Sequence, residues 1–275
     1  MINNDNKTKI FTAFKYITFI VVNRILLQYS INNETYFYIS LKNKTHRKYF
    51  IMSDLDSIVI ETQPDPDAAI IWLHGLGADG NDFVPIVEQL QLPSHFAIRF
   101  IFPHAPVRPI SINQGYHMPG WYDISSLSIV DQEDAVGIRE SSAILSELCQ
   151  EQEANGIDSS RIIVAGFSQG GAIALHCGCR YPRPLAGILA LSTYLALPET
   201  LEDEISDYAS EIPVFMAHGR QDDIINIEYG KRGFEQLEEY AIEAQWHEYD
   251  MGHAVCAEEI QHISQWLSQQ LSVAF

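Results

Sequence analysis

The chain has 275 residues, 47% of them apolar and 19% charged, an ordinary globular composition with room for one large α/β core or two small ones. Its formal charge of −19 is uneven: residues 1–51 hold eight Lys/Arg against two acids, while the remaining 224 hold nine against 34, with Lys231 as their only lysine. A body that acidic repels nucleic acid and anionic membrane surfaces, and neither is expected as a partner.

Residues 1–51 differ from the rest, being rich in Asn, Lys, Tyr, Ile and Phe. An apolar patch over 11–27 is interrupted by Lys15, Asn23 and Arg24. Its uncharged pieces fall far short of the ~20 residues a spanning helix needs, so no stable membrane insertion is expected. The charges inside the patch and the lack of a small-x-small cleavage site also speak against a signal peptide. Residues 1–51 therefore read as an N-terminal extension lying upstream of a functional start at Met52, or as poorly ordered. The intact mass of the native protein checks this, since a mass that includes Met1 would sink the Met52 start.

From residue 52 onward strands and helices alternate. Residues 57–61 suit an edge strand, 63–67 a Pro/Asp turn cluster, and 68–73 a second strand running into His74-Gly75-Leu76-Gly77. Asn81 or Asp82 can cap a helix through Phe83, Ile86, Val87 and Leu90, with Pro85 in its first turn. A strand follows over 97–102, then a proline-broken loop from 103 to about 131, too long to be a mere connector. Residues 133–153 show helical spacing at Ala135, Ile138, Ile144, Leu145 and Leu148. The run Ile162-Ile163-Val164-Ala165 predicts a strand buried on both faces, followed by a helix to Tyr181. The rhythm then repeats: strand 186–191, a weakly helical acidic piece 199–210, strand 213–217, helix 229–240, strand 245–249 and helix 256–271. The pattern predicts one α/β domain over 52–275, a doubly wound, mostly parallel sheet with helices on both faces.

The four cysteines, Cys149, Cys177, Cys179 and Cys256, fall in or beside predicted helices, and Cys177-x-Cys179 lacks the two-residue gap of common zinc or redox pairs. They read as reduced, partly buried thiols, which suits a cytoplasmic location. His104, His117 and His218 lie in loops without a second ligand at close helical spacing, so no metal site is expected. Gly75-x-Gly77-x-x-Gly80 follows a strand as a dinucleotide fingerprint does. The acidic residue expected at the next strand end is missing, however, because that strand runs into Phe102-Pro103-His104.

The chemistry concentrates at Gly166-Phe167-Ser168-Gln169-Gly170, a G-x-S-x-G set between a strand and a helix. Such a turn pushes the serine hydroxyl outward, and its glycines let strand and helix approach closely. A serine attacks only if a base takes its proton and an acid holds that base in one tautomer. In this architecture the acid and then the histidine follow later strands. Residues 218–223 supply Asp222, with Asp223 and Asp250 as alternative acids, and His253 stands just before the last helix beside Gly252. Oxyanion donors are expected from the backbone N–H groups of Gln169 and Leu76, each such donor being worth about 3–4 kcal/mol in a transition state. Only about twenty residues separate strands 186–191 and 213–217, too few for a large cap domain. The site should therefore be open, covered by the 103–131 loop, in which Met118, Trp121 and Tyr122 either line the substrate or pack the loop.

Taken together, Leu73-His74-Gly75-Leu76-Gly77, Phe102-Pro103-His104-Ala105-Pro106, Gly120-Trp121-Tyr122-Asp123, Gly166-Phe167-Ser168-Gln169-Gly170-Gly171, His218-Gly219 with Asp222, and Gly252-His253 resemble the phospholipase/carboxylesterase family of α/β-hydrolases, which includes the acyl-protein thioesterases. The resemblance spans roughly residues 52–272 and leaves 1–51 without a counterpart. It implies an α/β-hydrolase fold, with Ser168 as nucleophile, His253 as base, Asp222 as its orienting acid, and Leu76 and Gln169 as oxyanion donors. Asp223 stands where some relatives have proline, which admits a helper role for it. The implied activity is hydrolysis of short-to-medium acyl carboxylic esters without a cofactor. Action on lysophospholipids or protein S-acyl thioesters is the alternative, and a ligand-binding protein on a hydrolase scaffold is the alternative of another class. A homodimer is implied as a partner arrangement.

Overall fold

The computed structural model describes residues 55–126 and 133–272, and ahead of them the backbone of five strand segments: β1 (Ile17–Val21), β2 (Arg24–Ile31), β3 (Glu34–Ser40), β4 (His46–Tyr49) and β5 (Ile51–Met52). Residues 127–132 of the expected loop lie outside the described residues, as do the side chains of the N-terminal extension. The backbone of β1 to β4 pairs as a four-stranded antiparallel meander, which the composition of that segment did not suggest.

The main sheet has the order β14-β13-β12-β11-β7-β8-β6-β5. Its strands are β6 (Leu55–Glu61), β7 (Ala68–Leu73), β8 (Ile98–Pro103), β11 (Ile162–Phe167), β12 (Gly187–Leu191), β13 (Val214–Gly219) and β14 (Ala244–Tyr249), with β5 at one edge. The six from β14 to β8 run parallel, while β6 pairs antiparallel with β8 and β5 with β6. Strands β7, β12 and β13 are buried at every residue, as expected of strands covered on both sides, with His218 the one polar side chain among them.

The period of two sorts these side chains onto two faces. Ile71, Leu73, Val164, Ile188, Val214 and Met216 pack with residues of α2 (Ala135–Ala154), α3 (Gln169–Gly178) and α5 (Ile227–Glu239). Ile70, Trp72, Ile163, Leu189 and Phe215 pack with α1 (Ile86–Gln89) and α6 (Ala257–Ser272). Each such aliphatic side chain contributes about 1.5–3 kcal/mol on burial, so the two layers dominate the local preferences of the connections.

Four local expectations shift. The helix expected from Asn81 is a series of i→i+3 turns (Val84 N to Asn81 O, Ile86 N to Phe83 O) before the single turn of α1. Pro85 has no N–H to give to Asn81, so no α-helical ladder forms there. Helix α3 stops at Gly178 rather than Tyr181, because Pro182 lacks the N–H that the Gly178 carbonyl would receive and disfavours a helical Tyr181. The 199–210 piece shortens to α4 (Leu201–Glu204) between two 3₁₀ turns. The long loop contains a hairpin, β9 (Val107–Ile110) with β10 (Tyr116–Pro119), closed through Gln114 at φ 57° and Gly115 at φ 76°.

Helix α6 starts on a buried carboxylate. Glu259 is fully buried, its Oε2 accepts the Cys256 N–H at 3.3 Å, and its Oε1 has no hydrogen-bond partner among the described residues. Burial pushes its pKa up to about 8. The folded chain therefore holds a proton that the unfolded chain has lost above its ordinary value near 4.5, and stability declines as pH rises through that window. Glu259→Gln keeps the cap without the charge. It is expected to raise the melting temperature at pH 8, where the difference corresponds to a few kcal/mol, and to change it little at pH 5. Equal effects at both pH values in thermal melts would contradict this.

Candidate active site

Ser168 stands between β11 and α3 with φ 56° and ψ −121°, a backbone conformation costly for any residue but glycine. The fold holds it there from three sides. Its N–H bonds the Leu191 carbonyl at 2.8 Å, its carbonyl accepts the Thr193 hydroxyl at 2.7 Å, and the same carbonyl takes the Ala172 N–H at 3.1 Å. A Cβ at Gly166 would lie 2.2 Å from the Gly170 carbonyl carbon, and one at Gly170 would lie 2.5 Å from the Leu73 oxygen. Only hydrogen fits at either position, which explains the glycines on both sides of the serine.

Asp222 follows β13 and His253 follows the neighbouring β14. Their loops are pressed together through Gly219, where a Cβ would meet the Met251 oxygen at 2.3 Å, and are joined by Arg220 N to Tyr249 O and Gln221 N to Met251 O. The result is a continuous chain of hydrogen bonds. His253 Nδ1–H donates to Asp222 Oδ2 at 2.7 Å, which leaves Nε2 to accept the Ser168 hydroxyl at 2.9 Å. Asp222 Oδ1 accepts the amides of Ile224 at 3.0 Å and Ile225 at 2.9 Å. The Asp222 side chain is fully buried, whereas His253 stays partly open to solvent and packs against the Phe167 ring at 4.7 Å. Of the alternative acids, Asp223 is exposed and Asp250 bonds the Gln221 amide, so neither carboxylate holds His253.

The glycine loop after β7 runs beside the serine: a Cβ on Gly75 would lie 3.4 Å from Ser168 Cβ. Leu76 is half-buried in this loop, and Gln169 opens α3, where the first amides of a helix lack intrahelical acceptors. Trp121 and Tyr122 do not line an open cleft. Both are buried, with Trp121 at 0% and Tyr122 at 2% exposure; Trp121 ties the two segments together and Tyr122 is held to Gln169. The Trp121 amide donates to Gln169 Oε1 at 2.7 Å and its indole N–H to the His74 carbonyl at 2.8 Å, while Gln169 Nε2 donates to the Tyr122 carbonyl at 2.6 Å. The Tyr122 and Tyr194 hydroxyls bond at 2.8 Å. Met118 alone of the three is half-exposed, its sulfur near Gly77, whose amide bonds the Pro119 carbonyl.

Sequence reasoning gave no role to His74. It is buried, accepts the Ala105 amide on Nε2 at 3.0 Å, and so carries its proton on Nδ1, which donates to Gly75 O at 2.7 Å. Burial lowers its pKa and keeps it neutral, a fixed pin for the glycine loop. The four cysteines are free; Cys149, Cys177 and Cys179 are buried, and burial pushes the Cys177 and Cys179 thiols up to about 12. Among the described residues no group of three or more His, Cys, Asp or Glu could hold a metal ion, and no helix is long and apolar enough to cross a membrane.

A hydroxyl, an imidazole and a buried carboxylate in series at the carboxyl ends of a parallel sheet define a serine hydrolase of the α/β-hydrolase type. The chain belongs to the phospholipase/carboxylesterase family, whose model matches residues 55–271, and it is a hydrolase acting on esters or thioesters. It is 38% identical over 213 residues to acyl-protein thioesterase 1 of Neurospora crassa, covering 74% of this chain and 87% of that protein. Among solved structures, Zea mays acyl-protein thioesterase 2 superposes with a TM-score of 0.70 at 30% identity, covering 78% of this chain and 99% of that one. Arabidopsis thaliana SOBER1 superposes with a TM-score of 0.71 at 26% identity, covering 74% and 99%.

Proposed function

We propose that the chain is a thioesterase of the acyl-protein type, which removes acyl groups held in thioester linkage through a covalent acyl-enzyme on Ser168. In the proposed cycle His253 Nε2 takes the Ser168 proton as Oγ attacks the acyl carbonyl, and the Leu76 and Gln169 amides receive the negative charge that develops on oxygen. The imidazolium then gives its proton to the departing sulfur, and a thiol leaves. Water, deprotonated by the same imidazole, attacks the acyl-serine, and collapse returns the carboxylic acid and the free hydroxyl. Asp222 holds His253 in the tautomer the cycle needs and stabilises its cationic form. The hydrogen-bonded series from Ser168 to Asp222 carries the reading of mechanism.

The choice of thioester over the short-to-medium carboxylic ester first expected is supported by the names of the similar proteins. The curated relatives at 33–38% identity are acyl-protein thioesterases. Two peptides that differ only at the acylated residue, one S-octanoylated on cysteine and the other O-octanoylated on serine, test it. The thioester is expected to be turned over faster by more than the ratio of the two rates in hydroxide. An oxyester cleaved as fast or faster would return the assignment to carboxylesterase. A cytoplasmic site of action belongs to the same proposal and is supported by the four free thiols.

A further inference from the structure

His218 is the fifth residue of β13, wholly buried, four positions before Asp222 and outside the reaction series. Its Nε2 lies 2.9 Å from the Ile225 carbonyl and 3.3 Å from Asp222 Oδ2, the same oxygen that receives His253 Nδ1–H at 2.7 Å. A carbonyl and a carboxylate can only accept, so the proton of a neutral His218 sits on Nε2. It points at Ile225 with the carboxylate as its second, longer acceptor. Nδ1 is then a bare lone pair, and it has no partner among the described residues. The opposite tautomer would set a lone pair against two oxygens and bury an unpaired N–H, the costlier arrangement.

The ring cannot move to escape this. Trp246 of β14 stacks on it with centroids 6.1 Å apart, and α5 closes on its Nδ1 edge, where a Cβ at Gly230 would lie 2.7 Å from Nδ1. Neither neighbour is titratable. The ionisable groups facing His218 are Asp222 and His253, and burial is the largest influence on it, holding its pKa down. Through Ile225 the ring also fixes the turn whose two amides grip Asp222 Oδ1.

We infer that His218 is a positioning residue for the proposed triad: an Nε2–H imidazole that locks the 222–225 turn and shares the Asp222 oxygen with His253. The inference rests on the assignment of Ser168, His253 and Asp222 given above. It sets two effects in train when the N–H is removed. The carboxylate loses its fixed orientation, which slows the chemistry, and it keeps more charge toward His253, which holds the imidazolium more tightly.

The test compares the unmodified protein with His218→Leu, which has no donor, and His218→Gln, whose amide N–H can occupy the Nε2 position. Rates are normalised to the sites titrated by a fluorophosphonate, so that misfolded molecules do not count. Leu is expected to lower kcat per titrated site about tenfold, the worth of one hydrogen bond to a charged group, with KM little changed. It is also expected to move the acid limb of the kcat/KM profile up by about half a pH unit, while Gln restores most of both. An acid limb that stays put or falls in the Leu variant, or a Gln variant no better than Leu, overturns the inference. If the Leu variant does not fold, imidazole ¹⁵N shifts of the unmodified protein decide. A single Nε2–H pattern for His218 from pH 5 to 9 upholds the inference, and a titrating or Nδ1–H pattern overturns it. Failure of the underlying triad would be seen separately, as absence of fluorophosphonate labelling at Ser168 in the unmodified protein.

Discussion

Replacing Ser168 by Ala is expected to lower kcat by about 10⁶-fold, the scale at which a triad hydrolase loses turnover with its nucleophile, while leaving the fold intact. The side chain supplies only the hydroxyl that His253 accepts at 2.9 Å; the bonds that build the elbow are made by the Ser168 backbone to Leu191, Thr193 and Ala172. Ala keeps all of them and the same unfavourable φ of 56°. Its melting temperature should therefore stay close to that of the unmodified protein. Glycine at the same position separates function from strain. It abolishes turnover equally, yet relieves a backbone cost of about 1–3 kcal/mol, partly offset by the greater freedom of glycine in the unfolded chain. A net gain near 1 kcal/mol raises the melting temperature by about 2–4 °C for a domain of this size. The pair of variants tests the elbow twice, by rate and by melting. An Ala variant that retained more than a hundredth of the activity would falsify the role of Ser168.

How much of this was legible beforehand depended on whether a residue's task is set by its neighbours in sequence or in space. The central strands announce themselves, because Ile162-Ile163-Val164-Ala165 and Ala68–Leu73 are apolar without alternation and only a sheet covered on both faces asks for that. The order Ser168, Asp222, His253 was legible as well, since each residue stands just past the end of a strand and such ends gather on one side of a parallel sheet. Among the acids, spacing favoured Asp222 and the family resemblance named it, but spacing alone did not exclude Asp223 or Asp250. All three carboxylates stand within a few residues of strand ends, and the loop pairing through Gly219 shows which one turns inward. Trp121 and Tyr122 were ambiguous for a related reason. An aromatic in a proline-rich loop has the same composition whether it meets substrate or seals the loop, and the partners that decide it, His74 and Gln169, lie 47 and 48 residues from Trp121. The β9–β10 hairpin was hidden by Pro109 within its first strand, a residue that a two-stranded ribbon tolerates and a central strand does not.

Asp222→Asn should cost about 10⁴-fold in kcat, the loss typical when the acid of such a triad is made an amide, and the surroundings dictate why. Two backbone amides, from Ile224 and Ile225, converge on Oδ1. The carbonyl oxygen of the asparagine must stay on those donors, because turning its NH₂ toward them would set N–H against N–H in a buried place. The NH₂ is thereby forced to the Oδ2 position, facing His253 Nδ1, and only the longer 3.3 Å contact with His218 Nε2 is given up. The imidazole can satisfy that contact only by accepting on Nδ1, which moves its own proton to Nε2, and an Nε2–H cannot receive the Ser168 proton. The variant would thus be folded and sterically unchanged, but with its base in the wrong tautomer. Three measurements check the argument together. Turnover falls steeply, KM for a matched thioester stays within a few-fold, and the imidazole ¹⁵N shifts of His253 change from the Nδ1–H to the Nε2–H pattern. A variant with the Nδ1–H pattern intact and a rate loss below a hundredfold would mean that Asp222 holds His253 by position alone, and that the tautomer is set elsewhere.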